Sequence, residues 1–189
     1  LSEVVGFSQA MKARIPILIM LFCLHMSLIG ADRKPLTKKE SAKVIENAIR
    51  EAVRKPEGRL TEEDYGKIVE LKLFDQEITD ISLLSRLTRL EKLNVGQNPL
   101  KDLSPLAGLI QLEELWVGNY GTKDRFKAPL NLKPLKGLVK LKKLQIVGSH
   151  IQDLSPVCDL SEITFLELAY SRVDDYQPLL TLKKLRGLQ

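Results

Sequence analysis

Residues 90–119, which read LEKLNVGQNPLKDLSPLAGLIQLEELWVGN, contain the same apolar pattern twice. The triplet Leu90, Leu93, Val95 returns 22 residues later as Leu112, Leu115, Val117. This interval matches neither the helical period of about 3.6 residues nor the strand period of 2. It therefore indicates the length of a whole supersecondary unit, as found in repeat proteins.

The same unit recurs through most of the chain. Aligned on L-x-x-L-x-L, successive units begin at Ile68, Leu90, Leu112, Leu141, Ile163 and Leu185. All intervals are 22 residues except the third, which is 29 and places a seven-residue insertion within 120–131. Residues 68–189 thus hold about five and a half units, the last one incomplete.

Each unit combines a strand pattern with a turn pattern. The alternation L-x-L predicts half-buried strands at Leu71 and Leu73, Leu93 and Val95, Leu115 and Val117, Leu144 and Ile146, and Leu166 and Leu168. An acid then recurs in one register, as Asp80, Asp102, Asp153 and Asp175, with Asn131 in the expanded unit. Ser104-Pro105 and Ser155-Pro156 predict a serine N-cap followed by proline at the first position of a short helix.

A single unit of this kind cannot bury its own apolar side, but stacked units can shelter one another. Stacking predicts parallel strands in one continuous sheet, with the short helical turns behind it. We therefore expect a solenoid whose leucines share one interior.

The pattern L-x-x-L-x-L-x-x-N-x-[IL]-x-D-[ILV]-x-P-L-x-x-L resembles the internalin-type leucine-rich repeat of bacteria, shared with phosphatase regulators, over residues 68–189. The resemblance implies an α/β fold: a leucine-rich repeat solenoid with a parallel β-sheet on its concave face and an N-terminal helical cap. The family's ladder asparagine is matched only by Asn98, and the equivalent positions hold Gln76, Tyr120, Ser149 and Ser171. Glutamine and serine can still bond the turn backbone, whereas Tyr120 cannot do so in the same geometry, which affects the curvature expected around the third unit.

Residues 32–67 are expected to form this helical cap. A capping box at Thr37-Lys-Lys-Glu40 opens an apolar stripe from Ala42 to Val53, and a second box begins at Thr61. A membrane or partner helix is the alternative for the stripe.

The N-terminal residues predict a signal peptide over 11–31. Met11-Lys-Ala-Arg14 precedes an apolar run and the small residues Gly30 and Ala31, where we expect cleavage rather than a permanent anchor. Residues 1–10 are interpreted as an upstream extension of the reading frame.

At the other end of the chain, the last unit has no polar cap, so we expect a longer natural protein, or association through this end.

Composition argues against several functions. The net charge is +5 and the pI about 9.1, but Lys and Arg alternate with acids, so no basic stripe for nucleic acid is expected. Beyond the signal segment only Cys158 and His150 remain, which supplies no disulfide framework, metal set, cofactor site or nucleophile pair. We expect Cys158 to be packed, His150 to be solvated, and the protein not to be an enzyme.

The repeat register predicts which side chains face outward from the strands. One column comprises Glu70, Lys92, Glu114, Lys143 and Phe165, the next Lys72, Asn94, Trp116, Gln145 and Glu167, and a third Phe74, Gly96, Gly118, Val147 and Ala169. The lone tryptophan, Trp116, is expected to be a binding hot spot, with space cleared by Gly96 and Gly118 and with Tyr120 and Tyr170 at its rim. Alternatively, the loop after the third strand buries it.

The predicted function is a non-catalytic protein–protein interaction scaffold that is secreted, periplasmic or envelope-associated. The candidate binding residues are Trp116, Phe74, Asn94, Lys92, Glu114, Lys143, Gln145, Phe165, Glu167 and Tyr170, together with Tyr120, Arg125 and Phe126 of the insertion loop. The expected partner is a protein of unknown identity, with no nucleic acid, no cofactor and no membrane span after signal cleavage. The alternatives are an intracellular adaptor resembling phosphatase regulatory subunits and a structural segment of a longer envelope protein.

Overall fold

The computed structural model describes residues 33–118 and 128–189 of the chain. The predicted signal segment 11–31, the upstream residues 1–10 and the insertion residues 120–127 lie outside the described residues. No helix within the described ranges is long and apolar enough to cross a membrane.

Within the described residues 33–67, two helices precede the repeats. Helix α1 spans Lys38–Ala52 and begins with the predicted capping box, in which the Thr37 and Glu40 side chains each bond the other's backbone N–H. Its buried residues are Ser41, Ile45 and Ile49, and it packs against the first unit. Helix α2 spans Glu62–Gly66 and begins with the second predicted capping box. The sequence therefore identified both helix starts.

The ends of these helices are tied to their surroundings by polar contacts. The Lys55 ammonium lies 2.7 Å from Oδ2 of Asp64 in α2, and this contact, with the hydrogen bond from the Thr61 backbone, strongly lowers the pKa of the Asp64 carboxyl. Ahead of α1, the N–H of Leu36 donates to the carbonyl of Glu77, and the Thr79 hydroxyl donates to the carbonyl of Leu36. The helical segment is thus fastened directly to the first repeat.

The repeats form one six-stranded parallel sheet. Its strands, in spatial order, are β1 (Glu70–Lys72), β2 (Lys92–Asn94), β3 (Glu114–Gly118), β4 (Lys143–Val147), β6 (Phe165–Glu167) and β8 (Gly187–Leu188). A small second sheet pairs β5 (His150–Ile151) with β7 (Arg172–Val173). The expected parallel solenoid is confirmed.

The leucines of equivalent strand positions line up in a common interior. Leu93 pairs with Leu115, Leu115 with Leu144, and Leu144 with Leu166. All four are fully buried, and a single apolar core runs through all the units and under α1. Burial of side chains of this size contributes about 1.5–3 kcal/mol each, and here the neighbouring unit provides the cover.

The helical turns behind the sheet are short 3₁₀ segments, at Ser82–Arg86, Ser104–Leu106, Lys133–Leu135, Ser155–Val157 and Gln177–Thr181. The predicted serine N-caps at Ser104 and Ser155 are wrong, because these serines make no capping side-chain bond and already belong to the turns. The recurring aspartate accepts the hydrogen bond at the start of each of these turns instead. The N–H of Ser104 donates to Oδ1 of Asp102 at 2.8 Å, and the N–H of Ser155 donates to Oδ1 of Asp153 at 2.8 Å. An aspartate bonds its own backbone two residues on, which sets the turn.

In the described units, the residue at the position of the ladder asparagine forms hydrogen bonds to backbone groups. The partners of these bonds differ from unit to unit. Asn98 is buried, and its Oδ1 accepts from the N–H groups of Gln76 and Ile78 in the preceding unit. Ser171 accepts from the N–H of Ser149 and donates to a strand carbonyl. The expectation that glutamine and serine would still bond the backbone is confirmed, because Gln76 also donates to a backbone carbonyl, that of Phe74 in the turn after β1. Tyr120 lies outside the described residues.

Candidate binding face

The outward side chains of β1, β2, β3, β4 and β6 form a continuous surface, here called the concave face. The register aligns Glu70, Lys92, Glu114, Lys143 and Phe165 across the sheet, and beside them Lys72, Asn94, Trp116, Gln145 and Glu167. Each of these side chains retains some exposure, whereas the leucines between them are buried. The two predicted columns are therefore brought together in the predicted order.

Ion pairs bind most of the charged residues on this face to one another. Glu70 lies 2.9 Å from the Lys72 ammonium, which lowers the pKa of the Glu70 carboxyl. Oε1 of Glu114 lies 3.3 Å from the ammonium of Lys92 and 3.4 Å from that of Lys143. Surface pairs of this kind contribute at most about 1 kcal/mol each.

Trp116 occupies the middle of the face. It lies on β3 between Asn94 of β2 and Gln145 of β4, and its side chain is partly exposed. The Asn94 side chain is bonded to the turn after its own strand, because its Oδ1 accepts from the N–H of Gly96 at 3.0 Å. A partly exposed indole on a sheet offers a large apolar surface with one N–H donor.

The predicted role of the two glycines is wrong. A Cβ on Gly96 would meet the Asn94 side chain at 3.3 Å and the Phe74 ring at 3.5 Å, so the space there is already filled. Gly118 has φ +103°, and a Cβ on it would lie 2.1 Å from the carbonyl oxygen of Val147. These glycines are explained by backbone geometry and close packing between strands, rather than by room for a ligand.

The rim of the face is partly described. Tyr170 is 44% exposed and has φ 57°, a left-handed conformation in the turn after β6. The ring of Phe165 covers Gly187 of β8, because a Cβ there would lie 2.7 Å from its Cδ2. The other three predicted residues, Tyr120, Arg125 and Phe126, lie outside the described residues.

Glu167 is the exception among the charged residues of the concave face. Its carboxylate has no hydrogen bond or ion pair with any described residue, and burial raises its pKa. The repeat pattern identified Glu167 as outward but gave no sign of this isolation, because pairing depends on side-chain reach as well as register.

The remaining titratable candidates lie away from this face. His150 was expected to be solvated, and this is wrong: its Nε2 lies 3.1 Å from Oδ2 of Asp174, and its side chain is only 14% exposed. That contact lowers the pKa of the Asp174 carboxyl.

Cys158 is partly buried, with Sγ 3.3 Å from the carbonyl oxygen of Pro178, as expected for a packed thiol. Within residues 33–118 and 128–189, no group of three His, Cys, Asp or Glu side chains is placed to hold a metal ion.

Comparison with known proteins agrees with the repeat geometry. A sequence model described as "Leucine Rich repeats (2 copies)" matches residues 67–108. No curated protein matched the chain in a sequence search. Among solved structures, internalin C2 from Listeria monocytogenes matches with a TM-score of 0.51 at 22% identity, covering 77% of this chain and 92% of that one.

A second internalin of the same organism, InlF, has a TM-score of 0.42 at 23% identity and covers 77% of this chain and 54% of that chain. Because the sequence identity to internalin C2 is only 22%, the structural similarity to that protein is evidence for a shared fold alone. Together with the sequence match over residues 67–108 and the parallel sheet of stacked units, it shows that this chain has a leucine-rich repeat solenoid fold like that of internalin C2.

Proposed function

We propose that this chain is a non-catalytic scaffold that binds a protein partner on its concave face, around Trp116. The observation that supports this most directly is the position of Trp116: it is partly exposed at the centre of an ordered sheet, flanked by polar side chains. Aromatic side chains at the centre of a polar surface are the residues that most often dominate protein-binding energy. The repeat fold adds a rigid support for such a surface.

The size of the face limits the affinity. Six strands spaced by about 4.8 Å give a sheet roughly 25 Å wide, and three outward positions along each strand give well under 20 Å of height. The resulting area of about 400–500 Å² is smaller than the roughly 800 Å² that a standard interface buries on each partner. The face alone is therefore expected to bind weakly, and flanking residues would have to contribute to a tight complex.

A site-directed photo-crosslinker tests this proposal. Replacing Asn94 with p-benzoylphenylalanine places the reactive group beside Trp116, and replacing Ala107 puts it on the 3₁₀ side of the solenoid as a matched control. In an extract of the source cells, we expect the Asn94 variant to capture a specific protein that excess wild-type chain competes away. Equal capture from both positions would contradict the proposed face.

The variant Trp116→Ala supplies the second arm of the test. Because Trp116 projects from the sheet, this variant should fold and keep its far-UV circular dichroism spectrum. As a competitor in the same crosslinking experiment, it should be at least tenfold less effective than wild type, which corresponds to a loss of about 1.4 kcal/mol or more. Undiminished competition by Trp116→Ala would overturn the role of this residue.

We also propose that the scaffold acts outside the cytoplasm. The support is in the sequence of residues 11–31, where a basic segment, an apolar run and small residues follow in the order of a signal peptide. N-terminal sequencing of the protein from culture medium or periplasm should find a start near Ala31. Recovery of the uncleaved chain from the cytoplasm alone would contradict this part.

A further inference from the structure

The second column of the concave face, which contains Trp116, combines an aromatic ring, an amide and an isolated acid; its part from β3 to β6 is called the row below. Trp116 on β3 pairs in register with Gln145 on β4, and Gln145 pairs with Glu167 on β6. Three adjacent strands span about 10 Å between the outer backbones. The indole and the carboxylate therefore lie within reach of one ligand group placed over Gln145.

The electrostatics of this row differ from those of the column beside it. Glu70 and Glu114 are matched by the ammonium groups of Lys72, Lys92 and Lys143. Glu167 is half-buried and has no such match among the described residues. A carboxylate that loses water without gaining a partner lowers the stability of the folded protein. A ligand that supplied a partner to the Glu167 carboxylate would therefore remove this cost.

We propose that Trp116, Gln145 and Glu167 form a cation site that receives an arginine or lysine side chain of the protein partner. This inference rests on the proposed function, because it names the chemistry that the partner would bring to the concave face. A guanidinium or ammonium placed over the indole gains from the negative face of the ring. The same group can donate hydrogen bonds to Glu167, and Gln145 adds a carbonyl acceptor between the two.

Other ligand groups fit this row less well. An apolar side chain would cover Trp116 but would bury Glu167 further without a donor, which is unfavourable for an ionised group. An acidic side chain would add repulsion to that cost. A cation is therefore the ligand class that satisfies all three side chains.

The chain carries its own reporter for the test, since Trp116 is its only tryptophan. The probe is the peptide acetyl-(Gly-Arg)₃-amide, titrated against intact protein while the fluorescence of Trp116 is recorded. The matched probe has citrulline in place of arginine, which keeps the length and planar shape of the side chain but replaces the charged guanidinium with a neutral ureido group. We expect a saturable change with the arginine peptide, and binding at least fivefold weaker with the citrulline peptide.

Two isosteric variants separate this site from general attraction to an acidic surface. Glu167→Gln removes the isolated charge, whereas Glu70→Gln removes a paired charge from the same face and changes the net charge equally. We expect Glu167→Gln to weaken arginine-peptide binding at least fivefold and Glu70→Gln to change it less than twofold. Equal effects of the two variants, no effect of Glu167→Gln, or no saturable signal in wild type would each overturn the cation site.

The same variants distinguish failure of this inference from failure of the scaffold proposal. In the crosslinking experiment, unlabelled Glu167→Gln should compete at least fivefold more weakly than wild type. If Trp116→Ala loses competition while Glu167→Gln competes fully, the concave face binds a protein but the cation site is wrong. If neither loses competition, the proposed face fails as well.

Discussion

The Asn98 side chain joins two units of the solenoid at the scale of a single residue. Its Oδ1 accepts from the N–H groups of Gln76 and Ile78, and its Nδ2 donates to the carbonyls of Leu73 and Val95. Leu73, Ile78 and Val95 are buried, as is Asn98 itself. Asn98 therefore satisfies polar groups that would otherwise be buried without partners.

We expect Asn98→Ala to lower the free energy of unfolding by about 2–4 kcal/mol, because two backbone N–H groups lose their acceptor. Ser171→Ala is the matched variant, since Ser171 accepts from only one such N–H, that of Ser149. Its expected loss is roughly 1 kcal/mol. Urea denaturation measures both, and similar losses for the two variants would contradict this ranking.

Glu167 should show the opposite behaviour, because it costs stability in the free protein. Burial raises the pKa of its carboxyl, so the protonated form is favoured on folding, and stability falls as pH rises from the unfolded-state pKa of about 4.3 through the folded value. Glu167→Gln should therefore raise the midpoint of thermal unfolding at pH 7 and leave it nearly unchanged below pH 4. A lower midpoint at pH 7 would show that Glu167 has a stabilising partner.

At the scale of elements, the end of β3 depends on Gly118. The strand runs so close to β4 that a Cβ on Gly118 would lie 2.1 Å from the carbonyl oxygen of Val147. Its φ of +103° is also one that other residues rarely adopt. Gly118→Ala should therefore lower the free energy of unfolding by about 2–4 kcal/mol.

Gly108→Ala is the control for this change. Gly108 lies in the turn behind the sheet, where nothing lies within 4 Å of an added Cβ. This variant should alter stability by less than about 0.5 kcal/mol or raise it slightly. Thermal and urea unfolding of the two variants side by side measure the contrast, and equal effects would place the constraint elsewhere.

These elements also show what the sequence could and could not predict. The strands and their register follow from the 22-residue interval, because equivalent leucines must meet in one core. Capping at Ser104 was mispredicted because a serine before proline and an aspartate two residues earlier both fit a turn start, and only geometry shows that Asp102 makes the bond.

The candidate site likewise has features that the sequence predicts and features that it does not. The outward position of Trp116 and its neighbours follows from strand alternation. The roles of Gly96 and Gly118, the pairing of Glu114 with two lysines and the isolation of Glu167 depend on side-chain conformations and strand separation. A repeat pattern does not encode these, because one backbone register accommodates many side-chain arrangements.

At the scale of the whole molecule, the recurring acid gives the solenoid a shared response to pH. Hydrogen bonds from Ser104 lower the pKa of Asp102, and hydrogen bonds from Ser155 lower the pKa of Asp153. A carboxyl with a depressed folded pKa stabilises the protein above its unfolded-state pKa of about 3.9, and this contribution is lost as pH falls through the folded value. Because each repeat rests on its neighbours, losses at separate turns are expected to weaken the same stack.

The third turn, at Lys133–Leu135, shows how this sensitivity can be removed, since Asn131 accepts from the N–H of Lys133 at 3.1 Å without a titratable group. The double variant Asp102→Asn, Asp153→Asn should keep the turn bonds but lose the charge. We expect it to be less stable than wild type at pH 7, and we expect the two unfolding midpoints to converge as pH falls from about 4 toward 2. Urea unfolding across this range measures the difference, and a gap that stays constant down to pH 2 would mean that these carboxylates do not supply the pH-dependent stability of the repeats.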